Sequence, residues 1–472
     1  MKKRLISLLA VLVVLLTSVC SPLSAAAVYP LAKDRSITAK SAVVVYLGSD
    51  MSNDMLMYEK DADTPLAPAG LVRILVGMYA LKCMEEQQID SEVATATFSQ
   101  AISDQVDEVD MITLGIKIGA VWHLEDLLNV AMLQTAADAV TMLVASLAGT
   151  QEAFVEGMNK LATDIGCTNS HFTNVYGFDD PNQYTTARDM YRILRYAGLH
   201  YPRLVTILGQ SECTVKPVVG EEDYWPTTNE MLRESSEYYY APLVYGRSGY
   251  TESIGQSCAS VARDEGYEYL TVVMGSDDTP PPKADSDQDD GDSDGEDEEE
   301  ETGSDGPAFL DTMELFRWVY NTFSYQTVVS QNQPISRIGV DLAWSTDSVA
   351  LVAGSDFKGM LRNEVDLNAL RYEMTYAQET LTAPIEQGQI CGTARVYDGE
   401  YYIGEITLCA AQSIGRSQLL AVGDAIWTVL TSPVMLTIFA LLFALFVGYI
   451  VITLLYNRSR RKKKHKRVKR YR

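Results

Sequence analysis

Pro65-Leu66-Ala67-Pro68-Ala69-Gly70-Leu71-Val72-Arg73-Ile74-Leu75-Val76-Gly77-Met78-Tyr79-Ala80-Leu81 is the stretch on which the fold turns. Leu71, Leu75, Met78 and Leu81 recur at helical spacing and predict a helix over residues 69–86. Just upstream, residues 42–46 and 55–59 read as two short strands joined by the polar turn Gly48-Ser49-Asp50. Downstream, helical patterns run through 124–147, 151–165 and 187–196, the last with Thr186 as its N-cap. Strands return only at 243–245, 257–261 and 269–274. A sheet assembled from both ends of a domain, with helices inserted between, is an α+β arrangement.

Beyond this domain the composition changes several times. Residues 280–307 hold a proline triplet and thirteen acidic residues between Asp285 and Asp305, with almost no apolar ones, and are expected to be disordered. The amphipathic pattern at 309–323 then closes the first domain, so the acidic segment is an insertion within 28–324 and not a linker. Alternating apolar runs over 325–415, with a turn at Asp398-Gly399, predict a small antiparallel β domain. Residues 416–433 form an amphipathic connector suited to an interface. The uncharged apolar run 434–456 is long enough, at 1.5 Å per residue, to cross a hydrocarbon layer of about 30 Å.

At the N-terminus, Lys2, Lys3 and Arg4 precede an apolar run and the small residues Ser24 to Ala27, the pattern of a signal peptide over 1–27. The tail 457–472 carries eleven basic residues, and positive charge of this kind stays on the cytoplasmic side. The expected placement is therefore a single-pass protein of the cell membrane, with its large domain outside and its tail in the cytoplasm. Because both ends are basic, the net charge of −25 hides a stronger acidic surplus between them. That surplus disfavours a nucleic-acid partner and favours cations or basic proteins. Six cysteines remain in the mature chain, with no C-x-x-C pair, and read as buried thiols. His123, His171, His200 and His465 show no zinc-ligand spacing, and no cofactor is expected.

Several ordered stretches resemble the peptidase S11 family, the D-alanyl-D-alanine carboxypeptidases or low-molecular-weight penicillin-binding proteins. They include Tyr58-Glu59-Lys60-Asp61-Ala62-Asp63, Leu124-Glu125-Asp126-Leu127-Leu128, Ser170-His171-Phe172, Tyr184-Thr185-Thr186-Ala187-Arg188-Asp189, Thr228-Asn229 and Gly249-Tyr250-Thr251. The resemblance implies a β-lactamase/transpeptidase-like domain followed by the β domain and one C-terminal membrane helix. It also implies three motifs facing one cleft: S-x-x-K with its nucleophile and base, S-x-N, and a K-T-G strand that binds the substrate carboxylate.

Each motif position is altered here. The first reads Gly70-Leu71-Val72-Arg73, which offers no nucleophile and no base, because guanidinium holds its proton. The second reads Thr135-Ala136-Ala137, with the amide gone, and the third reads Arg247-Ser248-Gly249. No residue is expected to be catalytic. The resulting expectation is an inactive family member, with Arg73, Thr135, Arg247 and Ser248 left to bind a ligand such as a peptidoglycan peptide end. A purely structural reading, in which Arg73 pairs with a nearby acid, stands beside it. Two alternatives remain: a working carboxypeptidase with Ser248 or Thr135 as displaced nucleophile, and a non-catalytic structural or signalling protein whose acidic loop holds a basic envelope protein. The strings Ser355-Asp356-Phe357-Lys358 and Ser459-Arg460-Arg461-Lys462 repeat S-x-x-K by coincidence.

Overall fold

The computed structural model describes residues 29–31, 35–109, 111–277 and 306–468. The leader 1–27, the acidic run 285–305 and the end of the basic tail, 469–472, lie outside the described residues. The chain divides into two compact units after Ser324.

The first unit is built on a five-stranded antiparallel sheet in the order Met55–Lys60, Ser41–Tyr46, Tyr267–Ser276, Gly255–Asp264, Leu243–Thr251. Chain ends therefore meet in the middle of the sheet, as the sequence pattern requires. Strand Ser41–Tyr46 reads Ser-Ala-Val-Val-Val-Tyr without polar alternation because both of its faces are covered. Val43, Val45, Val261, Leu270 and Val272 join the main helical core on one face. On the other face lies helix Pro307–Thr322, with Tyr320 edge-on to Tyr269 and Trp318 edge-on to Tyr58.

Helix Val72–Glu86 runs through the centre of the helical layer. Its sequence suggests one apolar stripe, yet Val72 to Met78, Ala80, Leu81, Cys83 and Met84 are all buried. A helix apolar all round belongs in a core, and this one is packed by helices Leu124–Leu133, Ala137–Ala148, Gln151–Asp164 and Ala187–His200. The expected continuous helix over 124–147 is two helices, interrupted at Gln134–Ala136.

Asp311 ties the unit together where the acidic insertion leaves and returns. Its carboxylate accepts from Thr38 N (3.0 Å), Thr38 Oγ1 (2.9 Å), Ala39 N (2.8 Å) and Ser276 Oγ (2.7 Å). Helix, first strand and last strand are thereby held at one point.

The second unit contains a six-stranded sheet, ordered Arg371–Tyr376, Ile390–Asp398, Tyr401–Ala410, Ser348–Ala353, Pro334–Asp341, Thr380–Thr382. Its last pairing is parallel, so the sheet is mixed at that edge and antiparallel elsewhere. Leu351, Leu361, Ala394, Val396, Ile406 and Leu408 form its core. Helix Gln418–Leu430 follows with no buried residue, and the apolar segment Pro433–Tyr456 has a mean hydropathy of 2.8.

Candidate functional site

A short turn, Ala69–Leu71, opens the central helix and abuts the edge strand Leu243–Thr251. Ala69 takes φ 47°, in the left-handed region that a side chain resists, and so aims the following residue at the strand. That residue is Gly70, which is fully buried. A Cβ placed on it would stand 2.8 Å from the Ser248 carbonyl oxygen and 3.0 Å from Gly249 Cα. A Cβ on Gly249 would fall on the Gly70 backbone nitrogen. Turn and strand meet backbone to backbone, and two facing glycines are what permits it. The volume that a serine at position 70 would fill is occupied.

One turn further on, Arg73 is fully buried. Its Nη1 donates to the Ala131 carbonyl (3.5 Å), and its Nη2 to those of Thr135 and Ala136 (3.4 Å each), while Nε has no partner among the described residues. Arg247, 1 % exposed, donates through Nη1 to the Met132 carbonyl (2.6 Å) and Thr228 Oγ1 (3.1 Å). Its Nη2 reaches the Gln134 carbonyl (2.8 Å) and its Nε the Gly70 carbonyl (3.5 Å). Five of these acceptors lie in the last turn and exit of helix Leu124–Leu133, where carbonyls lose their intrahelical partners and the helix dipole is negative. Two guanidinium groups thus cap one helix end.

Burial lowers the Arg73 pKa to about 10, opposed in part by Tyr176 and Asp138. Burial, and secondarily repulsion from Arg73, lowers that of Arg247 to about 9. Both remain charged at neutral pH. Among the described residues neither forms an ion pair with an acid, so carbonyl oxygens supply the compensation that the purely structural reading of Arg73 expected from a nearby acid. Both guanidinium groups of the expected ligand clamp are buried, and most of their N–H groups are taken up by carbonyls at the helix end.

The second motif position sits at the start of helix Ala137–Ala148, with Ala136 as an N-cap lacking any side-chain bond. Ala137 N donates instead to the Ile112 carbonyl (3.0 Å), and the buried Asp138 accepts from Ile116 N (3.2 Å), so the loop before it is pinned over the position. Thr135 is half-buried. Ser248 is 3 % exposed and its hydroxyl donates to the Thr228 carbonyl (2.9 Å). His171 meets the Asn182 carbonyl through Nδ1 (2.8 Å), a loop-closing contact. Lys358 of the chance S-x-x-K string lies on strand Phe357–Arg362 of the second unit.

All seven degenerate positions, Gly70, Arg73, Thr135, Ala137, Arg247, Ser248 and Gly249, therefore surround one helix end and one turn. Missed by the sequence reading were Thr228 as partner of both Arg247 and Ser248, Asp138, and the backbone acceptors of Met132 and Gln134. Backbone oxygens leave no mark in a sequence, whereas Thr228 stood within a family-like stretch.

A central helix opened by one motif, a neighbouring helix begun by the second and an edge strand bearing the third define a class, and the chain belongs to the peptidase S11 family. The family model described as D-alanyl-D-alanine carboxypeptidase matches residues 27–278, and that of the penicillin-binding protein 5 C-terminal domain matches residues 323–416. Among similar proteins, D-alanyl-D-alanine carboxypeptidase DacC of Escherichia coli is 23 % identical, with 73 % of this chain and 77 % of the relative covered. DacF of Bacillus subtilis is 21 % identical over 80 % of this chain and 86 % of its own length. In structure, the chain is similar to penicillin-binding protein 5 from Haemophilus influenzae, with a TM-score of 0.56, 20 % identity, and 83 % and 100 % of the two chains covered. DacD from Francisella tularensis gives a TM-score of 0.60 at 17 % identity, covering 83 % and 97 %.

Proposed function

We propose that this chain is a non-catalytic S11 family member, tethered to the membrane by residues 433–456, with its large unit facing the cell wall. The observation that carries the reading is the contact between Gly70 and Gly249: the nucleophile position has neither a reactive atom nor room for one. Loss of the nucleophile alone removes the acyl-enzyme route, whatever its neighbours keep. The two arginines supply a second support, since the cations that would greet a substrate carboxylate are spent on helix carbonyls. The role left to the molecule is recognition or scaffolding at the envelope, by its surface or by a peptide end that opens the cleft.

The alternative, a displaced nucleophile, asks Ser248 or Thr135 to lose a proton to a base. The Ser248 hydroxyl already donates to a carbonyl, and Arg73 is no base at neutral pH. Incubation of the full chain with a fluorescent penicillin is expected to leave no covalent band, and a muropeptide ending in D-Ala-D-Ala is expected to release no D-alanine. Turnover, or a band abolished by Ser248→Ala, would sink the proposal in favour of the displaced nucleophile.

A further inference from the structure

We propose that the second unit rests on the lipid headgroup layer through the loop at 342–346, with Trp344 as its anchor; this rests on the reading that residues 433–456 cross a membrane. The loop joins strands Pro334–Asp341 and Ser348–Ala353. Trp344 at its tip is 73 % exposed, and the other strongly exposed tryptophan, Trp427 at 67 %, lies on helix Gln418–Leu430. Trp122 and Trp318, by contrast, are buried.

The loop is built to hold that ring outward. Leu342 takes φ 60°, a left-handed conformation that a branched side chain adopts only when its surroundings impose it. What imposes it is the chain about to leave for the membrane: Ser417 N donates to the Leu342 carbonyl (2.8 Å), and Ala343 bridges Arg416. On the far side, Thr346 Oγ1 bonds the backbone of Ser348 in both directions (2.7 and 3.3 Å) and closes the turn. The two residues before Trp344 are thus fastened to Arg416 and Ser417, immediately before helix Gln418–Leu430.

That helix fixes the height of the loop. It exposes Leu419, Val422, Ile426, Trp427 and Val429, and Asp424 is its one ionisable residue. Two residues, Thr431 and Ser432, separate it from the apolar segment that begins at Pro433. An apolar helix joined so tightly to a membrane span lies in the interface, which brings its capping residue Ser417 to headgroup depth. Trp344 then meets the layer that indole rings prefer, with its apolar body in the acyl boundary and its N–H toward water, and the exposed Arg416 that bridges Ala343 lies at the same depth. The tether becomes two-point, and the β unit is held on the bilayer surface.

The test uses full-length protein in vesicles of mixed zwitterionic and anionic phospholipid whose acyl chains carry bromine near the headgroup. Wild type, Trp344→Phe and Trp427→Phe are floated after a carbonate wash, and tryptophan quenching is then measured. All three are expected to float, and Trp344→Phe is expected to lose roughly half of the lipid-quenched emission, with Trp427→Phe losing the rest. If all float but Trp344→Phe keeps the wild-type quenching, the loop stands clear of the lipid, to be covered by protein or water, and the anchor is refuted while the span survives. If the wild type itself fails to float, the membrane reading falls and takes the anchor with it.

Discussion

A side chain at position 70 is the smallest change that could be asked of this site, and its outcome follows from two distances. With the Ser248 oxygen 2.8 Å and Gly249 Cα 3.0 Å from where a Cβ would stand, both obstacles are backbone of a central sheet's edge strand and neither rotates away. Gly70→Ser is therefore expected to lower stability by about 1–3 kcal/mol, the usual cost of overpacking. It is also expected to remain unlabelled by fluorescent penicillin, because Arg73 still offers no base. Thermal denaturation and gel fluorescence on the same variant check the two halves. A stable, labelled Gly70→Ser would mean that the strand moves freely, contrary to this packing. The family was legible from the sequence, in an ordered series of short stretches whose spacing the fold preserves. Closure at the motif positions was not: nothing in Gly70 or Gly249 taken singly tells that they touch, and burial of Arg73 and Arg247 among carbonyls depends on atoms common to every residue.

At the scale of elements, Asp311 is the joint whose failure would travel furthest. Four donors from two segments converge on one buried carboxylate, and two of them are backbone amides that have no other acceptor in view. Asp311→Ala is expected to cost about 2–4 kcal/mol, the sum of orphaned buried donors. Hydrogen exchange should quicken first at Thr38 and Ala39; unchanged protection there would show that the strand start is held by something else. The sequence conveyed most elements well, because strands such as 41–46 and the helix capped by Thr186 carry their own signals. It failed at 134–136. Ala-Met-Leu-Gln-Thr-Ala-Ala contains no glycine or proline, so local propensity favours one helix, and tertiary demand from two guanidinium groups for free carbonyls breaks it. The central helix was recognised by a stripe but is buried on all sides, a distinction that only its neighbours decide.

For the molecule as a whole, the buried tyrosines of the first unit set an alkaline limit. Burial raises the hydroxyl of Tyr58 to about 12 and that of Tyr240 to about 12, and raises Tyr191, Tyr245, Tyr269 and Tyr320 as well. Folded-state values above the unfolded value of 10.0 mean that the unfolded chain releases protons first, so stability is intact below pH 10 and falls as pH rises beyond it. Tyrosinate absorbance is expected to appear late and in step with loss of near-ultraviolet dichroism. A gradual titration with tertiary structure preserved would contradict the buried packing. The contact of Gly70 with Gly249 reaches beyond packing. On the proposed non-catalytic reading, that contact closes the site twice over, since the reacting atom is missing and its place is filled. Under that reading no one-residue change is expected to confer hydrolysis, because a serine at position 70 needs both a base in place of Arg73 and withdrawal of the strand from Gly70.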